Sequence, residues 1–202
     1  MQSTKVPLFN TPRGREQGDF PAGFATARRA QLGDPANPYR DPSMATKVKK
    51  SWQEKLADSK DLPKVETITG RMRQKWGAGT VVIPTPLEVD AAMRKVRKGR
   101  LITINELREY FAAQHGATIG CPMTTGIFAW IAAHAADEAE QQGRRRITPY
   151  WRTLKSGGEL NAKYPGGIDK LRTRLEAEGH RVIQKGRRYF VADYAQSLAR
   201  LG

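Results

Sequence analysis

Two short motifs fix the middle of this chain before any other feature is weighed. Thr85-Pro86-Leu87-Glu88 and Thr103-Ile104-Asn105-Glu106 are both capping boxes, in which threonine and glutamate each bond the other's backbone amide. Each opens a helix, and the first has proline at its first helical position, where a missing N–H costs nothing. Val89, Ala92, Met93 and Val96 then repeat at helical spacing as far as Gly99, with basic residues crowding the last turn. Leu107, Tyr110 and Phe111 do the same as far as Gly116. A short turn, Ala117 to Cys121, leads to Pro122 and a third helix that carries Ile127, Phe128, Ile131 and Ala135 toward a core and continues through Gln142. Helix, tight turn, helix is the layout of a helix-turn-helix, although many helical hairpins share it.

The flanks read differently. Residues 1–43 hold six prolines and four glycines with few clustered apolar side chains, which predicts a disordered tail. Met44 opens a lysine-rich phase. Either residues 1–43 form a basic arm with weak DNA affinity, or Met44 is the true first residue; both readings stand. Residues 44–83 are expected to be a short extension, with a helix from Ser51 using Trp52, Leu56 and Leu62, then a helix or turn, then a strand at Thr80–Ile83. Residues 84–192 form the main domain. Its last third has a glycine-rich loop, a helix on Ile168, Leu171 and Leu175 stopped at Gly179, and a hairpin over 181–191 turning at Lys185-Gly186. A helical tail is expected over 193–202. The fold class is α/β: a winged helix, meaning a helix-turn-helix backed by a basic hairpin.

Charge narrows the partner. Of 202 residues, 35 are Lys or Arg and 20 are Asp or Glu, a net +15. By fifties the balance runs +5, +5, −1 and +6, so a neutral helical centre is flanked by basic segments. An excess of this kind implies a polyanion, with nucleic acid ahead of an anionic membrane. No apolar run approaches the roughly 18 residues of a membrane helix, and no basic-then-apolar leader opens the chain. One cysteine excludes a disulfide framework, and three scattered histidines give no metal-ligand spacing. No metal, no cofactor and a cytoplasmic location (nucleoid-associated if bacterial) are the expectations.

Three segments in one order resemble the DNA-binding domain of alkylguanine-DNA alkyltransferases, the methylated-DNA–protein-cysteine methyltransferases. Val96 to Leu107 is similar to that family's lead-in to its helix-turn-helix. Ile147-Thr148-Pro149-Tyr150-Trp151-Arg152 lies where the family has its active-site I-P-C-H-R. Asn161 to Gly167, followed by Leu171, Leu175 and Glu178-Gly179-His180, is similar to its Y-S-G-G loop and following helix. The match spans residues 83–182.

Its departures decide what the resemblance implies. The family's thiolate attacks the alkyl carbon of a flipped guanine, activated through a histidine and a glutamate. Here Tyr150 stands at the cysteine and Trp151 at the histidine; Arg152 and Glu178 match. A phenol with a pKa near 10 and no adjacent base is a poor nucleophile. Ile104 replaces a tyrosine that helps rotate the nucleotide, Met123 or Thr124 falls where an arginine fills the vacated stack, and Ala132–Arg146 is longer or repacked. The pattern resembles alkyltransferase-like proteins, which also replace the cysteine, bind alkylated DNA without repairing it and pass it to nucleotide excision repair.

The expected partner is therefore double-stranded DNA, alkylated or plain, with nucleotide excision repair proteins behind it and no membrane. No catalytic residue is assigned. The expected lesion pocket is Tyr150, Trp151, Arg152, Tyr164, Gly166, Gly167 and Glu178, with the two aromatic rings either stacking on a base or simply filling an abandoned site. The expected DNA contacts are Thr118, Met123, Thr124, Thr125, Arg144, Arg145, Arg146, Lys185, Arg187 and Arg188. Two alternatives stay open: a general DNA-binding or regulatory protein with a collapsed pocket, and an alkyl acceptor that uses Cys121 at a helix start.

Overall fold

The computed structural model describes residues 49–202, and the expectations for residues 1–43 and Met44 lie outside them. From Ser51 the chain runs α1 (Trp52–Ala57), β1 (Lys64–Thr67), α2 (Gly70–Trp76), β2 (Thr80–Ile83), α3 (Pro86–Lys95), β3 (Ile102–Thr103) and α4 (Ile104–Gln114). It continues through β4 (Ile119–Gly120), α5 (Pro122–Gln141), β5 (Thr153–Leu154), α6 (Gly167–Glu176), β6 (Val182–Lys185) and β7 (Arg188–Val191). The result is a mixed α/β fold of helices with small sheets.

Both capping boxes close as the sequence predicts. Glu88 N donates to Thr85 Oγ1 at 3.0 Å and Thr85 N to Glu88 Oε2 at 2.7 Å; Thr103 and Glu106 repeat the exchange. A third box, Ser51 with Glu54, opens α1. Helix α3 stops at Lys95 rather than Gly99. Val96 turns to extended backbone, and the Gly99 amide is held from outside by Glu178.

The core sits where α3, α4 and α5 meet. Val89, Met93, Leu107 and Phe111 are fully buried, and α5 answers them with small residues: Ala129, Ala132, Ala133, Ala135 and Ala136. Alanine at these positions lets neighbouring helices approach closely, while burying a ring such as Phe111 contributes roughly 2–3 kcal/mol. At twenty residues α5 is about 30 Å long. It ends on Gly143 at φ 84°, with Arg144 N bonded back to Ala139 O at 3.0 Å, a glycine stop closed by a bond back across the last turn.

Three small sheets brace this bundle. β1 pairs antiparallel with β2, which pairs parallel with β4. β3 pairs parallel with β5, and β6 and β7 form the predicted hairpin. The hairpin's turn residues are Gly186 and Arg187, one position later than expected, because Lys185 and Arg188 are a paired register position. The strand at Thr80–Ile83 is present, and β1 stands where the sequence predicts only a helix or turn. Its pairing, and that of β2 with β4, stitches residues 64–83 into the main body. The expected helical tail is also corrected: it contains one 3₁₀ turn, Tyr194–Ser197, after which Leu198 bridges Leu101 and Ala199 N donates to Leu101 O at 2.7 Å. Edge pairing with the β3 lead-in satisfies this short, uncapped segment better than an isolated helix would.

Candidate nucleic-acid interface

Helix α4, the short β4 turn and α5 form a tight corner. Gly120 sits so close to α4 that an added Cβ would lie 2.5 Å from Arg108 O, and Arg108 Nε donates to Gly120 O at 2.9 Å. Thr118 fixes the other side. Its hydroxyl accepts from Thr80 N at 3.0 Å, and its amide donates to Thr80 Oγ1 at 3.1 Å. This exposed threonine is a clasp to β2 before it is anything else.

The first turns of α5 divide sharply. Thr125 is fully buried, and the hydroxyls of Thr124 and Thr125 are sealed without a partner. The expectation that Thr125 touches a phosphate is overturned, because its side chain faces the core. Met123 and Ile127, one turn apart, are 67% and 51% exposed. The spacing predicts Ile127 in the core. It lies on the outer face instead: residues 126–133 of α5 run without a polar or charged side chain, and periodicity cannot orient such a stretch.

Met123 and Ile127 are the outer wall of a groove of about 700 Å³, completed by Gly126, Trp130, His134, Asn161 and Lys163. Trp130 donates its indole N–H to Lys163 O at 3.0 Å, which locks the groove's back wall to the loop before Tyr164. Helix α1 closes the end: Trp52 stacks on His134 at 4.4 Å between ring centroids and meets Trp130 edge-on at 4.7 Å. Burial pushes the His134 imidazole below its ordinary pKa, against the pull of the Lys163 carbonyl and Asp137. Apart from Met123, none of these groove residues was a predicted contact. Their signal was present as Met123, Ile127, Trp130 and His134 at helical spacing, which a sequence cannot tell from core.

The predicted lesion pocket has a different character. Tyr150 lies in a 3₁₀ turn, Tyr150–Arg152, and is fully buried; Tyr164 is nearly so. Their rings meet edge-on at 5.9 Å, and Tyr150 meets Trp151 the same way at 5.5 Å. Neither tyrosine has a free face, which corrects the expectation of an aromatic wall open to a base: the rings fill the space between them. Burial also pushes both phenols above their ordinary pKa.

Glu178 is likewise occupied. It accepts Trp151 Nε1 at 2.8 Å, Arg152 Nη2 at 2.8 Å and Gly99 N at 3.1 Å, while Arg152 Nη1 donates to Val96 O at 2.7 Å. Burial works to raise the Glu178 pKa, but these bonds outweigh it and hold the carboxyl below its usual range. This network ties three segments together and leaves no charge free for a ligand. Gly166 is the left-handed N-cap of α6, and Gly167 follows as its first residue, also with positive φ.

Cys121 is 5% exposed and packs with Ile68 and Val81 in a small second core, which weighs against its use as an alkyl acceptor. Arg144, Arg145 and Arg146 are exposed, but follow the C-terminus of α5, the opposite end from Met123. Lys185, Arg187 and Arg188 are exposed on the hairpin; Arg188 makes an exposed ion pair to Glu159 at 3.4 Å. Among the described residues no cluster of three metal-ligating side chains occurs, and no helix is long and apolar enough to cross a membrane.

No family model matches this chain, and no curated protein is significantly similar to it. Two solved structures are similar. One is S. pombe Atl1 in complex with damaged DNA containing O6-carboxymethylguanine, at 17% identity and a TM-score of 0.43, covering 57% of this chain and 94% of that one. The other is S. pombe ATL in complex with DNA, at 18% identity, with the same TM-score and coverage.

Proposed function

We propose that this chain is a non-catalytic DNA-binding protein of the alkyltransferase-like type that senses alkylated guanine. In this reading α4 and α5 are a helix-turn-helix, β6–β7 is its wing, and the whole is a winged helix. One observation carries it: the position matching the family's nucleophile is a fully buried phenol whose neighbouring indole is already bonded to Glu178, while an open apolar groove lies on the outer face of α5. The first half removes alkyl-transfer chemistry, since a buried phenol without a base cannot attack an alkyl carbon. The second half supplies recognition. A groove of this volume is the size of small-molecule sites in general, and its methionine, isoleucine and tryptophan suit an apolar alkyl group on a displaced base.

Affinity in this reading comes from phosphates, and preference for the lesion from the groove. Lys163 at the groove rim and Lys185, Arg187 and Arg188 on the wing are the backbone contacts. Nucleotide excision repair proteins are the partners such a role calls for. Amide shift mapping on adding a duplex tests the placement. Perturbations centred on Met123, Gly126, Ile127 and the hairpin are expected. Perturbations that spare α5 would overturn it. Incubation with a methylated duplex should leave the protein mass unchanged at Cys121 and elsewhere.

A further inference from the structure

Beside α5 stands an element that none of the preceding roles uses. Strands β1 and β2 are antiparallel neighbours, which a two-residue hairpin is enough to join. The chain instead inserts α2, Gly70-Arg71-Met72-Arg73-Gln74-Lys75-Trp76. This helix buries none of its residues; only Trp76 is half-covered, against Ile68, Val81 and Cys121. A helix this short gains little from its own hydrogen bonds and normally persists by burying an apolar face. Here nearly everything faces solvent, including Arg71, Arg73 and Lys75. Among the described residues none of the three makes an ion pair, although ion pairs are common elsewhere on this surface.

The arm is fixed to the corner that presents α5. Cys121, the N-cap of α5, donates its amide to Val82 O at 2.9 Å, and Thr80 and Thr118 exchange two bonds across the same seam. Gly79, at φ 135°, allows that approach, because a Cβ there would lie 2.3 Å from Thr118 Oγ1. The cysteine, read from sequence as a reactive thiol candidate, is instead part of the small core that seats the arm.

We infer that the β1–α2–β2 arm is a second nucleic-acid contact, in which Arg71 and Lys75 engage the phosphate backbone of the duplex next to the stretch held by α5. This rests on the DNA-binding reading above and extends its footprint. Arg71 and Lys75, four residues apart, share one face of α2 and lie about 6 Å apart along it, whereas Arg73 lies about 200° round the helix from Arg71. The two cations carry no sequence information, so they raise affinity for damaged and undamaged DNA alike.

The test compares three proteins titrated with one undamaged duplex between 50 and 200 mM salt: the full chain, its Arg71→Ala/Lys75→Ala variant, and an Arg97→Ala/Lys98→Ala variant. The last removes equal charge, with Arg97 and Lys98 beyond the far end of α3 from β2. All four side chains are exposed, so thermal melts should coincide. Two lost phosphate contacts lower the log–log salt slope by about 1.8, so over this range the full chain should lose affinity about twelvefold more than the arm variant. The control variant should keep most of the slope. Equal slopes for the full chain and the arm variant, or equal losses in both variants, would overturn the arm's role while leaving DNA binding intact. A full chain that binds no duplex would remove the DNA-binding reading and the arm with it.

Discussion

At the residue scale the decisive group is the Arg152–Glu178 pair with Trp151. Its side chains are only 13% and 7% exposed, so the pair is worth little as isolated attraction, but losing one member strands a buried charge. Glu178→Gln is expected to cost about 3 kcal/mol in urea unfolding. The depressed carboxyl pKa contributes to the acid limb, as does that of Glu140, which the Arg174 and Lys170 bonds hold below its usual range. A lowered folded-state value contributes stability above the unfolded value, about 4.3, and loses it as pH falls through the folded value. Wild-type stability should therefore fall more steeply below pH 4 than that of the Gln variant. Tyr150→Cys tests the other half of the site. It places a thiol at a fully buried position with no neighbouring base, so incubation with methylated duplex should add no alkyl mass. Gain of one alkyl group would show that burial and Trp151 do not silence the position.

At the element scale, α1 is held to α5 by its aromatic seam and by Gln53, whose amide donates to Glu138 Oε2 at 2.9 Å and whose side chain donates to Ala135 O. His134 makes this seam acid-sensitive. Its folded pKa is lowered, so below about pH 6.5 the unfolded chain binds a proton that the seam resists, and stability falls with pH. In melts from pH 7 to 5.5, His134→Phe should lose less melting temperature than wild type. On the groove side, Met123 and Ile127 are exposed, so replacing both with alanine should leave stability within about 0.5 kcal/mol while lowering any preference for alkylated duplex.

What the sequence discloses follows the same division. The capping boxes, the α5 start and the α6 helix are local, carried by side chains three or four residues apart, and all could be read directly. The β1–β2–β4 sheet and the Leu101–Leu198 bridge depend on partners distant in the chain, and no local period announces them. Helix α5 was legible as a helix but not in its orientation, which put Ile127 inside and left the groove unseen. The residues around Tyr150 could be named from their order, yet their closure needed packing: nothing local says that Tyr150 and Tyr164 turn inward, or that Trp151 reaches Glu178.

At the scale of the whole molecule, a charge of +15 makes some attraction to any duplex unavoidable, so affinity alone distinguishes little. Discrimination distinguishes more. A fluorescence titration of matched duplexes, with and without a single methylated guanine at physiological salt, separates lesion sensing from general DNA binding. Sensing through the α5 groove predicts at least tenfold tighter binding to the methylated duplex, about 1.4 kcal/mol. Equal, salt-sensitive affinity for the two duplexes would contradict it.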